Sequence, residues 1–388
     1  MKKPCCANFS SGPCTKYPGW LPPEGTLMGR SHRSEVGVAA INSVIDLQKK
    51  ILNIPDDYFV SVLSGSTSGA IEALLWSLLG ERGVDLVSHC VFSKLWTYSI
   101  RNELRISDTR VFSDDFPNMS SVTDVDFDRD VVFCWASTTS GTSFKNANWI
   151  SADRKGLTIC DAASAVFALD LDWSKLDATA FSWQKGLGGE AGFGTVVLSP
   201  RAISRLETHV PSWPMPRIFK LSSDGKVNFG VFRGETLNTP SMLCIEDFHN
   251  ALLWAEKLGG GKALFEKVMH NYSVVKQRVA EQNIYRFLVS DENQRAPHII
   301  CLDISTDRYF NLSVEQKWKF LKNIAAICER EGCGFDFLGH IRTEPHLRVW
   351  AGPTVEANDL ADFLPWLEFA YNEASNSIAT IDIVGFLS

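Results

Sequence analysis

A chain of 388 residues is long enough for two or three units of ordinary domain size and for a full core. Hydrophobic residues are 45% and charged residues 21%, which excludes disordered and fibrous classes. The net charge of −7 argues against a broad nucleic-acid footprint, and no apolar run approaches the roughly 18 residues of a membrane span.

The first 30 residues are rich in Pro, Gly and Ser, as in Ser10-Ser11-Gly12-Pro13 and Trp20-Leu21-Pro22-Pro23, and predict an arm outside the core. Lys2 and Lys3 precede Pro4, Cys5 and Cys6 instead of an apolar segment, so neither secretion nor a membrane anchor is expected. The ten cysteines are irregularly spaced and lack a partner cluster at zinc-finger spacing. Reduced thiols, a cytoplasmic location and no metal are the expectation.

From Ser34 to Leu52 apolar positions recur at helical spacing. Short β-type runs follow at Tyr58–Leu63, Val84–Cys90, Asp130–Ala136, Leu157–Cys160, Ala178–Trp183 and Gly194–Leu198, mostly separated by helix-length segments. That rhythm predicts an α/β fold with a mainly parallel sheet covered on both faces, and Val131-Val132-Phe133-Cys134-Trp135 reads as a strand buried on both sides. Pro211 to Lys226 break the rhythm and suggest a lid or irregular crossing. A helix at Met242–Lys257 ends near Gly259-Gly260-Gly261, a candidate boundary. Beyond it come a strand at His298–Ile304, a helix at Ser313–Glu331 with a Ser-x-x-Gln capping box, strands near Phe335–Leu338 and Leu347–Trp350, and a helix near Glu356–Ala374. The expected organisation is an arm (1–30), a large domain (31–258) and a smaller α+β domain (259–388).

Asp161 closes one predicted strand, and Lys185 lies just past another, so both should emerge at the carboxyl edge of a parallel sheet, where α/β proteins bind ligands. A carboxylate and an amine meeting there suit pyridoxal phosphate: the amine condenses with the aldehyde, and the acid keeps the ring nitrogen protonated. Taken alone, these are equally an ordinary strand end and a surface lysine. The turn Ser64-Gly65-Ser66-Thr67-Ser68-Gly69 follows a strand and opens an apolar helix, an arrangement that binds phosphate but is also seen in any Ser-capped helix. It lacks both the Walker lysine and the dinucleotide glycine spacing, which favours a smaller phosphorylated cofactor over a nucleotide. Trp96 and the Thr138-Thr139 pair fall at the same edge, where a ring could stack on a heterocycle and a hydroxyl could bond it. With 12 Trp and 24 Phe, the chain has aromatic rings to spare for ligands.

These residues resemble the phosphoserine aminotransferase family of fold-type I pyridoxal-phosphate enzymes. The resemblance runs from Phe9-Ser10-Ser11-Gly12-Pro13 through Ser31-His32-Arg33, Gly65-Ser66-Thr67-Ser68-Gly69, Ser182-Trp183-Gln184-Lys185 and Asn238-Thr239-Pro240-Ser241 to Leu347-Arg348-Val349-Trp350. It implies a seven-stranded-type sheet in the large domain. It also implies Lys185 as the covalent anchor of pyridoxal 5'-phosphate, Asp161 at the pyridine nitrogen, Trp96 against the ring and Thr138 at its hydroxyl. Ser66, Thr67 and Gln184 would hold the phosphate, completed by Asn238 and Thr239 from the neighbouring subunit of a homodimer.

The implied reaction moves an amino group between L-glutamate and 3-phosphohydroxypyruvate in serine biosynthesis. Both substrates carry an α-carboxylate and a distal anion, so two cationic subsites are needed. Arg348 matches the carboxylate clamp, and His32 with Arg33 the distal group. The turn at Ser66-Thr67-Ser68 lacks an Arg common in the family, leaving Arg217, Lys220 and Arg233 as candidate replacements, and Ala136 stands where the family often has Asn. The rival readings are an alanine- or serine-glyoxylate aminotransferase, a cysteine desulfurase, for which Cys328 and Cys333 are poorly placed, and a binding protein on the same fold.

Overall fold

The computed structural model describes the backbone of residues 1–385 and the side chains of residues 1–376. Its main sheet comprises β1 (Phe59–Ser64), β2 (Val84–Val87), β3 (Thr109–Phe112), β4 (Asp130–Cys134), β5 (Thr158–Asp161), β6 (Ala178–Ser182) and β7 (Phe193–Leu198), in the order β1-β7-β6-β5-β4-β2-β3. β3, β2, β4, β5 and β6 run parallel, whereas β7 is antiparallel to both β6 and β1. Edge strand β3 escaped sequence reading because its Thr-Arg-Val-Phe carries no buried run; neither central residue is buried.

The strand period of two sorts side chains onto two cores. Val131, Phe133, Cys160, Phe181 and Val197 face a cluster shared with α1 (Glu35–Ile51) and, after the crossings below, α5 (Met242–Leu258). Val132, Cys134, Ile159, Ala180 and Val196 face the opposite cluster, shared with α2 (Ser66–Leu78), α3 (Val91–Tyr98) and α4 (Pro200–Thr208). Both faces are therefore apolar, as the uninterrupted hydrophobic strands require.

The segment expected to be irregular holds a 3-10 turn at Arg217–Phe219 and a hairpin of β8 (Ser222–Ser223) and β9 (Lys226–Val227). Of the three glycines, Gly259, at φ +122, separates α5 from α6 (Gly260–Glu281), and Gly260, the first residue of α6, is also at positive φ, +73. Leu264 of α6 belongs to the first core, whereas Tyr272 and Val275 belong to a third, so this helix carries the chain from one to the other.

The third core packs α6, α7 (Asp307–Phe310), α8 (Val314–Arg330) and α9 (Ala357–Gly385) on an antiparallel sheet of β10 (Tyr285–Phe287), β11 (Ile299–Ile304) and β12 (Leu347–Trp350). The Ser313–Gln316 capping box forms as expected. Phe335–Leu338 does not form a strand; it contributes only isolated bridges, Asn8 to Phe335 and Leu338 to Leu347. The arm also departs from expectation. Phe9 is 0% exposed, stacks on Phe363, and its carbonyl accepts from the Trp350 amide at 2.9 Å. An apolar residue between Pro- and Ser-rich segments gives no periodic signal, which is why this anchor went unread.

Candidate active site

Asp161 ends β5, pairs across the ladder with Cys134 of β4 and Ala180 of β6, and points to the α2 side. It is 5% exposed, and its donors are neutral: Trp96 Nε1 to Oδ2 at 2.9 Å, the Ala163 amide to Oδ1 at 3.0 Å and the Cys134 thiol at 3.7 Å. Burial raises its carboxyl above the usual range, with the hydrogen bonds and Lys185 opposing. Trp96 lies in α3, which is capped by a reciprocal pair between Cys90 and Ser93.

Lys185 follows the end of β6, on the turn that begins at Trp183. The Trp183 ring stacks on Phe248 with centroids 4.4 Å apart and fixes the base of this turn. Lys185 Nζ donates to the Ser11 carbonyl at 2.8 Å, so the arm crosses directly over this lysine. Burial lowers the amine's pKa, and nearby Arg348 lowers it further, against opposing effects of Cys14 and Asp161. The amine thus protonates less readily than a surface lysine.

α2 starts at Ser66, which adopts φ +59 after Gly65 at φ +90, and no side chain caps the helix. Gly69 and Gly194 are bare by necessity, because a methyl on either would overlap the Ser64 or Ser66 carbonyl. Gln184 Nε2 donates to Ser66 Oγ at 2.6 Å, joining the lysine's turn to the helix start. Thr67 Oγ1 and Gln184 Oε1 are buried without partners. Uncapped helix amides and unpaired donors and acceptors at one point make an anion cradle. Asn238 is also near, accepting from Ser64 Oγ at 2.5 Å within the same chain, while Thr239 is exposed.

Arg348 of β12 reaches over from the three-stranded sheet: Nη1 donates to the Thr138 carbonyl at 2.7 Å, and Nε is buried without a partner. That free N–H, close enough to Lys185 to shift it, fits a carboxylate. Thr138 itself is 5% exposed, at the turn after β4.

His32 and Arg33 are not brought to this group. They line a separate cavity of about 240 Å³ with Val38, Gly234, Glu235 and Thr236, His32 being buried with Nε2 unpaired and Arg33 exposed. The three candidate replacement cations lie at different distances from the cradle along the chain. Phe219, between Arg217 and Lys220, accepts from Ser77 at 2.9 Å, near the far end of α2 and about 16 Å along it from Ser66. Arg217 and Lys220 therefore stand off their own chain's cradle. Arg233 is exposed on the loop leading to Asn238.

Sequence reading passed over His340 and Arg342. Burial lowers the pKa of His340, and so do Arg348, Arg342 and Lys185, which puts His340 within electrostatic reach of the site; the exposed Arg342 sits beside it, its amide donating to His340 Nδ1 at 3.2 Å. Their loop has no strand or helix periodicity, so only its closeness to Arg348 in the sequence could have flagged it. Serine 11, also unassigned from sequence, is 1% exposed with Oγ unpaired.

The site's residues fit pyridoxal phosphate: a buried carboxylate with neutral donors, an enclosed amine and an anion cradle. The sequence profile of the aminotransferase class-V family matches residues 29–332. A phosphoserine aminotransferase of Methanosarcina barkeri is 43% identical over 95% of this chain and 97% of its own length, and that of Methanosarcina mazei is 42% identical over 96% and 97%.

The chain belongs to the phosphoserine aminotransferases of the class-V family. It is a pyridoxal-phosphate-dependent aminotransferase. In fold, the family member from Cytophaga hutchinsonii superposes with a TM-score of 0.78 at 20% identity, covering 93% of this chain and 98% of that one. Pyridoxamine-pyruvate aminotransferase of Mesorhizobium loti gives 0.78 at 19% identity, covering 96% and 93%, so the backbone alone does not distinguish class-V substrates. All ten cysteines are free. Among the described residues no helix is long and apolar enough to cross a membrane, and no cluster of metal-ligating side chains occurs.

Proposed function

We propose that the chain transfers an amino group between L-glutamate and 3-phosphohydroxypyruvate, giving O-phospho-L-serine and 2-oxoglutarate in serine biosynthesis. The observation that carries this reading is the unpaired Arg348 Nε beside Lys185, with His340 and Arg342 close by. Substrates with a carboxylate at one end and a second anion at the other need such an asymmetric group of cations.

The cofactor supplies an electron sink for the charge left when the α-proton departs. Ser66, Thr67, Gln184 and the start of α2 would hold its phosphate, Asp161 its ring nitrogen, Trp96 its ring and Thr138 its hydroxyl. A ring N–H at Asp161 would offset the burial that raises this carboxyl. Lys185 anchors the aldehyde and moves the α-proton. Its lowered pKa moves the amine in the direction a general base requires. Arg348 orients the α-carboxylate, and its bond to the Thr138 carbonyl ties the small domain to the ring's hydroxyl side.

The active enzyme is proposed to be a homodimer with shared sites. His32 and Arg33 line their own cavity with Gly234, Glu235 and Thr236, and are proposed to bind the distal anion in a neighbouring subunit's site. Asn238, whose Oδ1 is held by Ser64 of its own chain, and the exposed Thr239 are proposed to shift across the interface and complete the neighbour's cofactor phosphate site. Ten free thiols support a cytoplasmic, reducing setting.

The test compares amino acceptors with glutamate as donor. Turnover with 3-phosphohydroxypyruvate should exceed that with glyoxylate by at least about a hundredfold, the differential expected when paired cations recognise an anion. Equal rates would sink the assignment, as would activity in Lys185→Ala.

A further inference from the structure

An amine that anchors a cofactor is free during part of each cycle and in the empty protein, and a free amine in an enclosed site needs an acceptor. Here that acceptor is the Ser11 main-chain carbonyl, 2.8 Å from Lys185 Nζ. The carbonyl is held from both sides. The Phe9 amide donates to Phe335 at 3.2 Å and the Trp350 amide to Phe9 at 2.9 Å, which fixes the arm to the small domain. The Cys14 amide donates to the Gln184 carbonyl at 2.8 Å, which fixes it to the lysine's own turn.

Between these anchors lies Gly12, at φ +145, where a methyl group would overlap Nζ and crowd the two adjoining carbons of Lys185. Two other positive-φ glycines of the arm differ: Gly19, at φ +79, and Gly29, at φ +74, have nothing within 4 Å of where a Cβ would stand. Backbone conformation alone therefore does not explain the fit between Gly12 and the lysine.

We propose that the Ser11 carbonyl is the berth taken by the Lys185 amine whenever it is not joined to the cofactor, and that position 12 must be glycine to keep the berth open. The inference rests on Lys185 being the cofactor anchor. A neutral carbonyl holds the amine in place without the attraction for its protonated form that a carboxylate would exert. Asp161 is meanwhile left to its own donors, Trp96 and Ala163.

The test is a double-mutant cycle in the cofactor-free protein, read as melting temperature. Gly12→Ala should lower it in both backgrounds through the strain of an alanine at φ +145, but by about 3 °C or more further with Lys185 present, where the methyl also pushes the amine off the Ser11 carbonyl. Equal losses in both backgrounds would mean backbone strain alone and would overturn the berth. If Gly12→Ala does not fold, recovery of folding in the double variant supports the proposal and failure to recover it overturns it.

In the loaded enzyme, Gly12→Ala should slow the single-turnover reaction with glutamate about tenfold or more, while Gly19→Ala leaves it unchanged. A full rate in Gly12→Ala overturns the berth. Should wild-type protein fail to take up pyridoxal phosphate through Lys185, the functional reading falls, while the cycle still reports on the contact.

Discussion

Trp96 Nε1 donates to Asp161 Oδ2 at 2.9 Å, so the ring expected to lie against the cofactor and the acid expected to charge it are joined directly. Loss of this donor leaves a buried carboxylate with one fewer partner, which costs about 1–3 kcal/mol. Trp96→Phe keeps an aromatic face but removes the N–H. Its affinity for pyridoxal phosphate should fall roughly 5- to 150-fold by equilibrium titration of the cofactor-free protein. An unchanged affinity would show that the indole serves only as a packing surface.

The burial of Lys185 should also register in stability against pH. Its pKa is lowered in the folded state, so between that value and the unfolded value near 10.5 the unfolded chain binds the extra proton and stability rises with pH. At neutral pH the folded protein bears the full penalty of a charged, buried amine. Lys185→Met, which retains an unbranched apolar stem, should raise the cofactor-free melting temperature at pH 7, with the gain shrinking as pH approaches 10.5. A pH-independent difference would contradict the depressed amine.

His340 and Arg342 provide a prediction about substrate alone. His340 is pushed below its usual pKa by burial first, then by Arg348 and Arg342, so it is mostly neutral at pH 7 and gains charge as pH falls. Replacing Arg342 by Ala should raise the KM for 3-phosphohydroxypyruvate about tenfold or more, the scale of one lost charge-assisted contact, without changing cofactor affinity. His340→Ala should have its larger effect on the acidic side. Equal effects on phosphorylated and unphosphorylated acceptors would remove this loop from the distal subsite.

Much of the site could be read from the chain because strand ends are punctuated. Apolar runs stopping at Asp161 and before Lys185, and a Ser- and Gly-rich turn before α2, mark one edge of a parallel sheet whatever the intervening helices do. Elements whose role depends on distant partners carried no such marks. Phe9 is a core residue only because Phe363 and Trp350 receive it, and Ser11 matters only because the arm crosses Lys185. β3 could not be read for a related reason: at the sheet edge its side chains are exposed, and Arg110 is recruited by Asp85 of β2. His32 and Arg33 were legible by resemblance as a binding pair, but their position relative to Lys185 is a tertiary matter.

Asp85 yields the strongest stability prediction away from the site. This carboxylate is 0% exposed, and it accepts from Arg129 Nε at 2.8 Å, from Arg110 Nε at 2.8 Å and Nη2 at 2.5 Å, and from the Asp126 amide at 2.8 Å. It gathers β2, β3 and the loop before β4 at the end of the sheet opposite the cofactor edge. Asp85→Ala leaves two guanidinium groups without their common partner and one amide unpaired. Breaking such a cluster from one side costs about 3–5 kcal/mol, far more than the net worth of an exposed pair. The cofactor-free and loaded proteins should lose the same amount in denaturant unfolding, because the cluster touches no residue of the cofactor site. A loss below about 1 kcal/mol, in the range of a surface ion pair, would show that Arg110 and Arg129 re-form their bonds with water or with Asp108, Asp124 and Asp126.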